Sequence, residues 1–169
     1  FYCLPGKISD DEEFGKVYNL AYSHYKKSWE RLLNRPNRPQ LYNPDEFIRQ
    51  SYIFVIINVP SNEVASLILG TNVSLKNKVT YDFSYFQNFK GKALELLKSK
   101  FAQNLLSLEY SCTNRNYSPK KMEQVNLGEV ITYLGMNFAK ATNIDAILGQ
   151  PRRVTKTNDK VVKSGFHRV

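Results

Sequence analysis

From Phe14 to Leu32 apolar residues recur three or four positions apart, at Phe14, Val17, Ala21, Tyr25, Trp29 and Leu32. That spacing puts them on one face of a helix. Ser9 to Glu12 has the form of a capping box at its start, and prolines 36 and 39 end it near Asn34. Asn43-Pro44-Asp45-Glu46 repeats the start signal, with Pro at the first helical position and Glu46 closing the box. The pattern then changes. Ser51–Val59 and Glu63–Ser74 are rich in β-branched residues and flank Pro60-Ser61-Asn62, which predicts an antiparallel hairpin. Phe1–Leu4 reads as a short edge strand stopped by Pro5-Gly6. Tyr81–Phe89 is aromatic-heavy and has no assignable period.

The second half alternates between the two periods. Lys92–Lys100 is a short amphipathic helix, and Leu105–Thr113 a buried strand. A loop over 114–123 carries Arg115, Lys120 and Lys121, and a helix follows from Leu127 to about Thr142. Its apolar stripe is Leu127, Val130, Ile131, Leu134, Phe138 and Ala141. Ile144–Leu148 is a further strand, and 158–164 a final short helix. The order is β, α, α, β, β, α, β, α, β, α. A hairpin thus feeds a β–α–β unit, which requires a parallel pair with a right-handed crossover. This is an α/β (α+β) chain, and at 169 residues one domain is the default.

Composition narrows the class. No apolar run has the length of a membrane span and no secretory pattern opens the chain. Cys3 and Cys112 make neither a metal spacing nor a disulfide framework, so a cytoplasmic setting and no metal are expected. The net charge of +9 is concentrated at Lys26, Lys27, Arg31, Arg35 and Arg38 and again at Arg152 and Arg153. Such clusters are either a solvated face or a surface for a polyanion: nucleic acid, coenzyme A phosphates or an acidic carrier protein.

Candidate chemistry gathers in the last third. Glu109 is the single carboxylate of its strand, and by the two-residue period it shares a side with Leu105 and Ser107, the more polar face. It is either a base, whose pKa burial would raise, or a structural or solvated carboxylate. Asn126-Leu127-Gly128-Glu129 is a capping box, and its N–H groups also suit a phosphate. Cys112 has no histidine close in sequence to activate it, and His24 and His167 read as surface residues.

With this element order, the strand–loop–helix at 105–142 and the closing Gly165-Phe166, the chain resembles the GCN5-related N-acetyltransferase superfamily. The resemblance implies an acyl-CoA N-acyltransferase fold: a mixed, mostly antiparallel sheet, a splayed parallel pair and flanking helices. It implies a single domain over 1–169 that stops before the family's last strands. Glu109 matches a general-base position. Tyr110, Ser111, Cys112 and Thr113 would line the donor's pantetheine and acyl group, and Asn126, Leu127 and Gly128 match the pyrophosphate turn. That turn has one glycine here, with Gln124 four residues before it, and Val161 stands where the family often has a tyrosine acid. Trp29, Tyr42-Asn43-Pro44-Asp45 and Glu109-Tyr110-Ser111 are similar to elements of the acyl-homoserine lactone and N-acyl amino acid synthases, which share this fold.

The expectation is an N-acyltransferase that moves an acyl group from acetyl-CoA, a longer acyl-CoA or an acyl-carrier protein to an amine of a small molecule or protein. Trp29, Phe83 and Phe86 either pack the core or line an acyl tunnel. The rival is a noncatalytic basic module for nucleic acid or another polyanion, permitted by aromatics interleaved with bases over Tyr22–Arg31 but supported by no nucleic-acid motif.

Overall fold

Among the described residues five strands form one sheet, in the order Tyr2–Pro5, Tyr52–Asn58, Glu63–Ser74, Asn104–Thr113 and Ala146–Gly149. The structure is a computed structural model and describes residues 1–7, 11–35, 38–39, 43–82, 86, 92–100, 102–122, 125–150, 162 and 165–166. In chain order its elements are β1 (Tyr2–Pro5), α1 (Glu12–Leu33), β2 (Asn34–Arg35), β3 (Arg38–Pro39), α2 (Asp45–Ile48), β4 (Tyr52–Asn58) and β5 (Glu63–Ser74). Then come α3 (Val79–Asp82), α4 (Lys92–Ser99), β6 (Asn104–Thr113), α5 (Leu127–Ala141) and β7 (Ala146–Gly149). Of the helix expected over 158–164 only Val162 is among the described residues. Ser9, Tyr42, Phe83, Gln124, Arg152, Arg153, Val161 and His167 lie outside them.

The predicted hairpin is β4–β5, antiparallel from Tyr52↔Gly70 to Asn58↔Glu63, and β1 is the edge strand beside it. β5 also pairs antiparallel with β6, while β6 and β7 are parallel. β5 is buried on both sides because helices cover both faces. One face carries Leu4, Ile53, Val55, Leu67 and Leu69 and packs under Val17, Ala21, Tyr25 and Trp29 of α1 and Phe47 of α2. The other carries Phe54, Ile68, Leu106 and Leu108 and packs under Ile131 and Ala139 of α5. A third cluster, with Leu75, Phe86, Ala102 and Leu105, lies at the start of β6.

Two helix readings are corrected. α1 is capped by Asp11, whose carboxylate accepts the Phe14 N–H at 3.0 Å. In α5 the buried line is Leu127, Ile131, Gly135 and Ala139. Val130 and Ala141 of the expected stripe are exposed. The line runs in steps of four because α5 presses it onto Leu108 of β6, where a side chain at Gly135 would meet the Leu108 methyls at 3.4–3.5 Å.

The end of β1 depends on one glycine. The Gly6 N–H donates to the Ser51 carbonyl at 2.9 Å, and a Cβ at Gly6 would stand 1.5 Å from the Gln50 carbonyl oxygen. That neighbour is backbone and cannot rotate away. Gly6→Ala is therefore expected to lower stability by about 1–3 kcal/mol in urea unfolding. A loss below about 0.5 kcal/mol, the range of neutral surface changes, would show that the strand end shifts freely.

Candidate active site

β6 is regular as far as Glu109 and then breaks step. Leu69 pairs with Glu109 and Leu67 with Cys112, so Tyr110 and Ser111 together oppose Ile68. This is a β-bulge, and it reaims the side chains that follow. Tyr110 sits at its centre with φ +52°, a conformation rare for a bulky residue. Its surroundings hold it there: the ring lies edge-on to Tyr25 and Trp29 at 5.6 and 5.1 Å, and the hydroxyl donates to Glu46 at 2.8 Å. Alternation would put Glu109 and Tyr110 on opposite faces. The bulge puts both on the face covered by α1 and α2.

The parallel pair ends at the same place. β6 and β7 are paired from Leu105↔Ala146 to Leu108↔Gly149. Asp145 closes one end: its carboxylate accepts the Gln103 and Asn104 N–H groups at 2.8 Å each. At the other end Glu109 and the residues after it have no β7 partner among the described residues. Among the described residues the two strands are thus joined from Leu105 to Leu108, with Asp145 closing the Leu105 end.

Glu109 is 9% exposed, which excludes the solvated alternative. The face that looked polar in one strand is covered, because Glu109 lies in a cross-strand row with Leu69 and Ile53 beneath α1 and α2. Its Oε1 accepts from the Ser107 hydroxyl at 2.8 Å, and Arg49 Nη2 stands 3.5 Å from Oε2. Burial pushes its pKa above the ordinary carboxylate value; Ser107 and Arg49 oppose this and Glu46 reinforces it. The net result is a carboxyl that holds its proton to higher pH than an exposed one.

By sequence Glu46 has only a capping role and Arg49 none. Glu46 does not close a capping box. It receives the Arg49 Nε at 2.8 Å, a close contact from Arg49 Nη2, and the Tyr110 hydroxyl. Their three-residue spacing is the one local signal, since it sets two side chains on one helical face. Nothing in it announces that the pair meets a carboxylate 60 residues away.

The start of α5 is more occupied than a phosphate turn requires. The Asn126 side chain accepts the Gly128 N–H at 3.2 Å, and its carbonyl takes the Glu129 and Val130 N–H groups. The Asn126 amide also donates to the Glu129 carboxylate at 2.7 Å. A carboxylate of the chain itself already sits at the positive end of the helix. Leu127 is buried under the helix. Thr113 shares a 3.0 Å hydrogen bond with Ser66 and lies beside Gly128.

The remaining candidates scatter. Ser111 is exposed. Cys112 is buried beside Ser28 and Trp29, and burial pushes its thiol up to about 12, so it stays protonated. Trp29 and Phe86 belong to separate core clusters rather than to one tunnel, because α1 covers the first and the start of β6 the second. His24 is not a surface residue as expected: its Nε2 is buried with no hydrogen-bond partner among the described residues, and burial lowers its pKa. Of the basic run, Lys26, Lys27 and Arg31 line an open groove of about 520 Å³ with Tyr22, Ser23 and Glu30. No described helix is long and apolar enough to cross a membrane.

Comparisons bear on the fold. No family model matches the chain, and no curated protein does. A mutant BH1408 protein from Bacillus halodurans superposes over 100% of this chain and 94% of its own, with a TM-score of 0.53 and 15% identity. An aminoglycoside acetyltransferase from an uncultured soil metagenomic sample, solved with sisomicin, superposes over 99% of this chain and 90% of its own, with a TM-score of 0.52 and 11% identity. At such identities the likeness is one of architecture: an antiparallel sheet that ends in a parallel pair, with helices on both faces, which is the fold of the GCN5-related N-acetyltransferases.

Proposed function

We propose that the chain is an N-acyltransferase that passes an acyl group from acyl-CoA to an amine, with Glu109 as the base. The observation that carries this is a coincidence at one residue. Glu109 is buried, its pKa is raised, and it stands where β6 bulges, one residue past its last described pair with β7. A thioester lying there supplies an activated carbonyl. Strand N–H groups of β6 past Leu108 lack a β7 partner among the described residues, and they would hold the carbonyl oxygen as charge develops. The amine attacks the carbonyl carbon to form the C–N bond, Glu109 takes the amine proton directly or through one water, and the C–S bond breaks with coenzyme A leaving as the thiolate, to be protonated by water.

A short acyl group fits better than a long one. Trp29, the residue that the synthase branch would place along an acyl tunnel, is 6% exposed and packed edge-on against Tyr110. Acetyl-CoA is therefore the first donor proposed, ahead of longer acyl-CoA or an acyl-carrier protein. The donor's diphosphate would meet the start of α5, where Asn126 must release the Gly128 N–H and Glu129 opposes a second negative charge.

Thermal unfolding with ligands tests this. Acetyl-CoA at about a hundred times its Kd is expected to stabilise by about 2.7 kcal/mol, a rise of roughly 5–10 °C for a chain of this size. Glu129→Gln should tighten the donor about two- to fivefold by removing the like charge. A rise with single-stranded oligonucleotides and none with any acyl-CoA would overturn the enzyme reading and support binding of a polyanion along the α1 groove.

A further inference from the structure

Arg49 lies between two carboxylates and is shared unequally. Its Nε is 2.8 Å from Glu46 Oε2, its Nη2 is in close contact with the same oxygen, and that Nη2 is 3.5 Å from Glu109 Oε2. Glu46 is held in turn by the Tyr110 hydroxyl at 2.8 Å, and Tyr110 is clamped between Tyr25 and Trp29. The arginine is therefore drawn toward Glu46 from a fixed point. Glu109 keeps one short hydrogen bond, from Ser107, and a distant cation.

We propose that Glu46 and Arg49 are paired positioning residues that set the charge state of the Glu109 carboxylate by dividing one guanidinium between two acids. The proposal rests on the acyl-transfer reading only for what Glu109 then does with its proton. If Arg49 lay wholly on Glu109, a charge-assisted bond would stabilise the carboxylate, cover its oxygen and weaken it as a base. If Arg49 were absent, a buried carboxyl among Leu69 and Ile53 would hold its proton and accept none. The shared geometry lies between: ionisable, yet with Oε2 not covered by a short bond. Burial opposes the Arg49 charge, but Glu46, Glu109 and Tyr110 together outweigh it and hold the guanidinium pKa above its usual value, so the cation is permanent.

The described groups around Glu109 are few. Glu46 and Arg49 face it from α2 and the residue after it, and Ser107 and Tyr110 flank it on its own strand. Its β5 neighbour Leu69 has no charge, and Tyr25 of α1 meets the Tyr110 ring. Burial and then Glu46 raise the Tyr110 pKa far above the ordinary phenol value, so that hydroxyl remains a donor to Glu46.

The test is a carbon-13 NMR titration of the Glu109 carboxyl, assigned by its absence in Glu109→Gln and recorded without substrate. Glu46→Gln removes a neighbouring negative charge and frees Arg49, so the midpoint should fall. Arg49→Met removes the cation, so the midpoint should rise. Arg49→Lys keeps the charge without the fork and should fall between wild type and Arg49→Met, which retains the test if the methionine variant folds poorly. General loosening of the site would move Glu46→Gln and Arg49→Met the same way. Shifts of one sign, or none, overturn the proposal. Rates of acetyl transfer to a panel of primary amines are followed in parallel. Opposed midpoints with no transfer would sink the acyl-transfer reading and leave the charge-setting pair intact; transfer with unmoved midpoints would do the reverse.

Discussion

Glu109→Gln is expected to lower the rate of amine acylation by roughly 10²- to 10⁴-fold, the usual contribution of a positioned general base. Glutamine keeps the volume of the side chain and can still accept the Ser107 hydroxyl, so the row of Ile53, Leu69 and residue 109 stays filled. Donor affinity should not change, because Glu109 faces α1 and α2 while the diphosphate would lie at the start of α5. Loss confined to turnover therefore separates a base from a binding residue. The wild-type rate should also fall on acidification through the pKa of Glu109, which lies above the ordinary carboxylate value, and this limb should vanish in the variant. Stability moves the other way. A carboxyl whose folded pKa is raised binds more protons folded than unfolded, so it costs stability at neutral pH and stops doing so below the ordinary value of 4.5. Glu109→Gln should thus be at least as stable as wild type at neutral pH and lose that advantage in acid. Unchanged turnover would remove Glu109 from the chemistry, whatever the fold suggests.

Phe47→Ala should be the most damaging single change in the core, at about 3–5 kcal/mol. Phe47 has no exposed surface, and its ring packs against Tyr18, Tyr22 and Tyr25 at 5.1–5.3 Å. It anchors α2, which at four residues is far too short to be stable alone. Glu46 and Arg49 stand on either side of this anchor. Loss of the ring should therefore remove a large part of a typical domain stability of about 5–15 kcal/mol and also blur the charge pair beside Glu109. Urea midpoints and acylation rates should fall together, and Phe47→Leu should recover much of both. A loss under about 1 kcal/mol would mean that α2 is held by its backbone rather than by this aromatic contact.

The fold was more legible than the site. β4, β5, α4, β6 and α5 lie within a residue or two of where their patterns placed them, because each buries a face whose period the chain itself displays. The closing Gly165-Phe166 also has a structural meaning. Gly165 has φ +93°, open to glycine without strain, and Phe166 packs against the cluster under α5. A face that is only half specified by its own pattern is settled by its neighbour: the buried line of α5 departs from the apolar stripe because Gly135 is a core position only through Leu108 packed against it.

What the residues determined by themselves was the succession of elements and the single carboxylate in the buried strand, since local periodicity and turn chemistry act within a few positions. What only the folded chain decided was whether that carboxylate could do anything. A one-residue bulge turned Tyr110 to the side of Glu109, and an arginine from residue 49 arrived 3.5 Å away. Each depends on registers between segments far apart in sequence, and a shift of one residue would reverse the face on which every later side chain stands.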